Sequence, residues 1–454
     1  MEKQTIIQHL FARAGFGLSP QEWQARKDWS KAQALHEIFG EKIQSIPVLV
    51  SMPLPQKDMT QEQRMERQKR QRELTGNENI NWITRMGSPK ESAFLERMTL
   101  FWHGHFACET QIAYLAAQQI NSIRKHALGN FRELVLAIAK DPSMIRYLNN
   151  QQNRKKKPNE NFARELMELF TIGRGNYSEK DIKEAARAFT GWAHNQKGEY
   201  IFRKGQHDYE QKTFMGQMGN FNGDEIIDLI LKKRETAVFI TRKVYKYFVN
   251  ENIEENRVKN LANDFYDSNY NILKLMYAIF NSDWFYDAEN IGTKIKSPVE
   301  LIAGFMRQTN ASNFTKQGLL YTQKALGQIL FKPPNVAGWA GGKNWIDNST
   351  LTTRLNFTTI VIQASELAAN NEHKKLKKRQ IKRFQATLDF EPIFELVEGK
   401  EDAAIIKTLT EYLIHPPLTV PKKIVQNFSK NENRSTFIKN VCRRLMGLPE
   451  YQMC

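Results

Sequence analysis

A mainly α-helical, multi-helix globular body is predicted by three features of this sequence. Apolar residues recur at helical spacing in segment after segment, three stretches share one helix-opening pattern, and strand signals are sparse. The openings are SPQE at 19–22, SPKE at 88–91 and SPVE at 297–300. In each, serine caps a free backbone N–H, proline takes the first helical position, and the glutamate bonds back to the cap. Ser178 with Asp181 is a looser version of the same device.

Along the chain, IPVLVSMPLPQ at 46–56 carries three prolines and leaves helix, while EQRMERQKRQREL at 62–74 reads as an exposed, charged helix. After Ser88, the positions Phe94, Leu95, Met98 and Phe101 or Trp102 fall on one helical face. The segments 112–128, 131–139, 160–172, 179–190, 224–233, 236–250, 272–281, 298–307 and 401–414 behave similarly. RKKKP at 154–158 is a basic loop. The best strand signals are EYIFR at 199–203, after the turn-like NQKG, and QKTFMG at 211–216. Together they predict a small β-hairpin or three-stranded patch near 199–216. A Gly/Trp/Pro-rich loop occupies 331–347, and KKLKKRQIKR at 374–383 is a basic connector. The domain reading is a main helical body over 1–373, that connector, and a C-terminal helical segment over 384–454 packed on the body. The alternative is one continuous domain.

Composition narrows the function class. The chain has 454 residues, 41% of them apolar and 25% charged, which suits a folded globular protein and not a disordered one. Its three cysteines, Cys108, Cys442 and Cys454, form no CxxC pair, so neither a disulfide framework nor thiolate-bound structural zinc is expected. The start lacks the apolar core of a secretory signal, and no apolar run reaches the roughly 18 residues of a membrane span. A cytoplasmic location is the expectation. A net charge of +17 favours anionic partners: nucleic acid, a membrane surface or an acidic polysaccharide.

Four places can carry chemistry. In NENFARELMELF, 159–170, helical winding puts Asn161, Glu165 and Glu168 on one face beside Arg164. Paired carboxylates one turn apart suit a shared metal or a raised-pKa general acid; the plain alternative is a solvated face with an Arg164–Glu168 pair. In MTLFWHGHFA, 98–107, an unbroken helix puts His103 on the face of Glu96 and Leu100 and sends His105 nearly opposite. A chain that extends at Gly104 would return both histidines to one side. In GQHDYEQKTFMG, 205–216, His207 stands beside Asp208 in a loop. In FKPPNVAGWAGGKNWID, 331–347, Trp339 and Trp345 offer flat faces for a sugar or base, with Asn335 and Asn344 as hydrogen-bonding groups. The alternative there is a rigid loop whose tryptophans plug the helical body.

HLFARAGFG (9–17), MTLFWHGHFA (98–107), NENFARELMELFTIGRGNYSEKDIKEAARAFTGW (159–192), HDYEQKTFMG (207–216) and PPNVAGWAGGKNWID (333–347) occur in this order. Together they closely resemble the bacterial family catalogued as domain of unknown function 1800, over nearly the whole chain. The resemblance implies a largely helical fold without an assigned activity. It also implies relatives that are often exported, and a neighbour protein resembling sulfatases and phosphatases. Many relatives of that family carry histidine where this chain has Phe170, and others have phenylalanine as here. A metal site needing that histidine would lack a ligand here.

The resulting expectation is an acid–base or metal-assisted hydrolase-like enzyme acting on an anionic or carbohydrate-like substrate. Glu165, His207 and Asp208 are the catalytic candidates, and His103, His105, Asn335, Trp339 and Trp345 the substrate-binding ones. Metal ligands are unassigned, and the cofactor is open, a divalent metal being one reading. The expected partners are an anionic polysaccharide or the sulfatase/phosphatase-like neighbour. The alternatives are a non-catalytic binding or assembly protein with a basic surface and, ranked after it, nucleic-acid binding through 154–157 and 374–383.

Overall fold

A computed structural model describes residues 3–40, 59–90, 92–369, 382–415 and 433–454. The proline-rich 46–56 stretch and all but the last two residues of the 374–383 connector lie outside the described residues.

Two helices form the centre. Ala93–His105 buries nearly every residue, and Pro298–Gln308 buries all of them. A helix apolar all round belongs in a core, yet both carry charges, and each charge is matched. Glu96 accepts from Arg124 Nε (2.8 Å) and Nη2 (3.0 Å) and from the Trp82 indole (2.7 Å). Arg97 meets Glu300 at 2.9 Å, joining the two central helices. Arg307 donates to the carbonyls of Gly17 and Ser88 and to Glu22, tying the 17–22 stretch and Ser88 to the core.

Around this pair pack the remaining helices, among them Gln61–Gly87, Ala113–His126, Arg234–Phe248, Asn348–Ala369 and Arg434–Met446. Capping boxes form at Ser19–Glu22, Ser178–Asp181 and Ser297–Glu300 as their spacing predicts. The Ser88 opening is different. Ser88 is extended (φ −85°, ψ 132°) and ends Gln61–Gly87, because the following Pro89 disfavours helical backbone at the residue before it. The next helix starts at Ala93, capped by Ser92. The helix expected over 160–172 is α-helical at Asn161–Glu165 and continues as a π-turn over Leu166–Thr171.

Two antiparallel ribbons account for the strands of the described residues. Tyr200–Phe202 pairs with Trp192–His194 around the 195–198 turn, and Lys212–Phe214 pairs with Gln217–Gly219. The β element near 199–216 is therefore two hairpins side by side in sequence. Met215 (φ 48°) and Gly216 (φ 83°) make the second turn, the two left-handed positions that a tight hairpin requires.

The last described residues reach back into the centre. Lys294 and Cys454 exchange backbone hydrogen bonds at 3.2 and 2.9 Å, and Lys296 N–H donates to Gln452. Among the described residues, no helix is long and apolar enough to cross a membrane.

Candidate functional site

The helix Ala93–His105 runs through Gly104, so His103 and His105 leave it on nearly opposite faces. Each has its own task. His103 is fully buried and accepts the Phe331 N–H at Nε2 (3.2 Å), with Trp82, Phe331 and Trp339 around its ring. Burial pulls its pKa down to about 3, so the ring is neutral. The bond it accepts holds Phe331 at φ 66°, a left-handed conformation that a bulky residue adopts only when its surroundings impose it. His103 thus fixes the root of the 331–347 loop.

Gly104 receives the loop's middle. Gly338 sits at φ 78°, and a side chain there would collide with the Gly104 carbonyl. Gly338→Ala is expected to cost about 1–3 kcal/mol from the backbone conformation alone, before the collision is counted. Urea unfolding followed by tryptophan fluorescence measures it. A loss below about 0.5 kcal/mol, the usual range of surface substitutions, would mean the loop does not dock on this helix.

His105 faces the other way. Its Nε2–H donates to the Phe170 carbonyl (3.0 Å), and its Nδ1 accepts from Lys243 Nζ (3.2 Å). Burial, and then the Lys243 charge, hold its pKa well below the ordinary value. Lys243 also donates to the Leu169 carbonyl (2.8 Å). Both acceptor carbonyls lie at the end of the π-turn, where carbonyls lack donors within their own helix. The motif around Phe170 therefore reaches the site through its backbone.

Lys243, His105, Trp339 and Trp345 line one cleft of about 270 Å³. The helix Arg234–Phe248 adds Lys246 and Tyr247, and Glu251 follows it. Burial lowers the Lys243 amine to about 8. The Glu251 carboxylate lies against Gly342 (φ 55°), in space that any side chain at 342 would take.

At the floor, Lys294 reaches Glu300 at 2.6 and 2.9 Å, and Glu300 also accepts the Ser297 N–H and pairs with Arg97. Burial pushes the Glu300 carboxyl up, but Arg97 and Lys294 outweigh it and hold it at about 2. Arg97 lies between the rings of Phe16 and Tyr247, 5.6 and 5.1 Å from their centroids. The Tyr247 hydroxyl is buried beside Glu300, its side-chain partner. Arg13, Lys296 and Arg354 lie buried behind, donating to backbone carbonyls.

The structure brings His105, Trp339 and Trp345 to one cleft, while His103 packs beneath the loop against Phe331 and Trp339 without lining it. It sends the other predicted residues elsewhere. Glu165 is half-buried, its carboxyl raised by burial and by Glu168. Arg164 turns to Glu160 and Glu179, and Glu168 takes Arg174 and the Tyr177 hydroxyl. His207 Nδ1 lies 2.8 Å from the Thr190 carbonyl, while Asp208 is bound by Arg187 Nε at 2.7 Å. Adjacent in sequence, these two side chains serve different partners. Asn335 closes a turn, accepting the Ala337 N–H at 2.9 Å and the Gly338 N–H at its carbonyl. Glu165, His207, Asp208 and Asn335 are not among the cleft-lining residues. Among the described residues, no three His, Cys, Asp or Glu side chains stand close enough to hold a metal ion.

Sequence reasoning missed Lys243, Lys246, Tyr247, Glu251 and Lys294. Lysines on an amphipathic helix read as a solvated surface, and Glu300 reads fully as a capping residue. A family model described as "Protein of unknown function (DUF1800)" matches residues 9–453. No curated protein and no solved structure matches the chain.

Proposed function

The chain belongs to the DUF1800 family, described as of unknown function, and from its cleft we propose an acid–base, hydrolase-like enzyme for an anionic, carbohydrate-like substrate. Lys243 is the proton carrier. The observation behind this is the pair of acceptors on its amine, the Leu169 carbonyl and His105 Nδ1, in a residue that lines the cleft. A neutral amine held by two N–H bonds keeps its lone pair for the remaining tetrahedral direction. In that state it takes a proton from an attacking water; as ammonium it returns the proton to the leaving oxygen, and one water is consumed per bond cleaved. His105, neutral and fixed by Phe170, positions the amine. Trp339 and Trp345 offer the faces on which a sugar ring stacks.

Competitive acetylation across a pH series tests the premise without a substrate. Lys243 reactivity is expected to titrate near 8, against about 10.4 for an unperturbed lysine. A midpoint above 10 removes the proposal. A purely binding role is the second reading, supported by the engagement of both His105 nitrogens, which leaves that ring no site for a substrate proton. Saturable ligand binding with an unperturbed Lys243 would favour it.

A further inference from the structure

Away from the cleft, the fold gathers positive charge on a second surface. The Lys157 N–H donates to the Arg154 carbonyl at 2.8 Å, closing a tight turn with Lys155 and Lys156 at its tip. The Lys155 N–H donates to the Gln206 carbonyl (2.9 Å), which sets this turn against Arg203 and Lys204. Gly191 holds the two segments together: its N–H donates to the Asn153 carbonyl, and its own carbonyl accepts the Arg203 N–H. It sits at φ 82°, and a side chain there would strike the Arg203 carbonyl, so the link needs glycine. Of the six basic side chains assembled here, Arg203 is half-buried and the others are exposed. Among the described residues none of the six is in an ion pair, whereas Arg164, Arg234 and Arg242 each meet a carboxylate. The acids of these segments have other partners: Glu184, Asp208 and Glu210 face Arg187, Glu160 faces Arg164, and Glu199 accepts from Asn195.

Two aromatic rings stand beside this charge. Tyr209 is 55% exposed and Phe202 38%, and the buried His207 ring lies between them in edge-to-face contact, 4.7 Å from the first and 5.1 Å from the second. The loop under Tyr209 is pinned. Thr190 binds the His207 ring and the Asp208 N–H, Arg187 grips the Asp208 carboxylate, and Lys212 donates to the Asp208 carbonyl. His207 and Asp208 thus build a platform that holds an aromatic ring out to solvent. We infer that this surface binds single-stranded nucleic acid, its lysines and arginines following the phosphates and Tyr209 and Phe202 stacking on bases. Charge alone suits any polyanion. The exposed rings narrow the partner, because a duplex keeps its bases inside the stack while a single strand presents the π-face of each. More than forty residues separate the basic run from these aromatics in sequence, and the fold puts them side by side. None of these residues lines the cleft, so the acid–base reading stands or falls separately.

Fluorescence anisotropy of a labelled single strand of about 16 nucleotides, titrated with the full chain, tests this. The controls are an abasic strand of equal length and charge, the matching duplex, and polygalacturonate as a polyanion without bases. The single strand is expected to bind saturably and at least about tenfold more tightly than the abasic strand. Tyr209→Ala should weaken it at least about fivefold, the loss of one stacked base. Lys155→Ala combined with Lys156→Ala, at an exposed turn tip, should lower the slope of log affinity against log salt by about 0.7 for each lysine. Phe202→Leu reads the stacking a second time, so the test survives if circular dichroism shows the Tyr209 variant misfolded. No saturable binding, equal affinity for the abasic strand, or affinity unchanged in both Tyr209→Ala and Phe202→Leu would overturn the proposal. Tighter binding of polygalacturonate or of the duplex would overturn it as well, marking a surface that reads charge without bases.

Discussion

Glu300→Gln is expected to lower the unfolding free energy by about 3–5 kcal/mol at neutral pH, the cost of removing one partner from a buried ion pair. The carboxylate is 3% exposed and answers Arg97, Lys294 and the Ser297 N–H together. Glutamine keeps the size and one acceptor but strands two buried cations. By contrast, Glu179→Gln, which breaks the exposed pair with Arg164, should leave the unfolding midpoint nearly unchanged, because water and salt screen that pair. The pH dependence follows from the sign of the shift. The Glu300 carboxyl is held at about 2 in the folded chain, below its ordinary 4.5. Its contribution is present in full above 4.5 and is lost as pH falls from there through about 2. Urea unfolding at a series of pH values should show that acid limb in the parent chain and a flatter one in the variant. A loss under about 1 kcal/mol would mean Arg97 and Lys294 find other partners, and the central charge cluster would no longer be what joins the two core helices.

That cluster also explains what the sequence made legible and what it hid. Helix periodicity and capping are local, so the SPQE and SPVE openings and most helical segments read correctly. SPKE misled because the serine before a proline is equally suited to ending a helix, and only the chain before it decides which. The opposed directions of His103 and His105 followed from winding alone, once the helix ran through Gly104. Their roles did not follow, because each depends on a partner more than sixty residues away: Phe331 for one, Phe170 and Lys243 for the other.

Glu165, His207 and Asp208 suit catalysis by residue type and spacing, but the fold supplies Arg187 to Asp208 and the Thr190 carbonyl to His207. Lys243 is the converse case. Only tertiary burial distinguishes it from Lys246, the other lysine of its helix. Phe170 joins the two levels. Its ring packs against Phe106 in the core, while its backbone carbonyl orients His105.

Lys243→Met is expected to lower kcat/KM by at least about 100-fold, the ordinary contribution of a positioned proton carrier, with the fold intact. The readout is turnover of the fastest substrate in a panel of anionic aryl glycosides and esters. Lys243→Arg should not restore it, because a guanidinium stays protonated throughout the working range and offers no lone pair. With the neutral amine as base, kcat/KM of the parent chain rises with pH through about 8. The same shift predicts a stability signature independent of any substrate. The folded amine gives up its proton near 8, below the ordinary 10.5, so the unfolded chain holds more protons between those values. This group then makes stability rise with pH across that interval, and methionine removes its share of the rise, Lys296, also held at about 8, keeping its own. Unchanged turnover in the methionine variant would take Lys243 out of the chemistry. A parent chain with no alkaline rise in stability would go further and place the amine in contact with water, where His105 and the Leu169 carbonyl could no longer tune it.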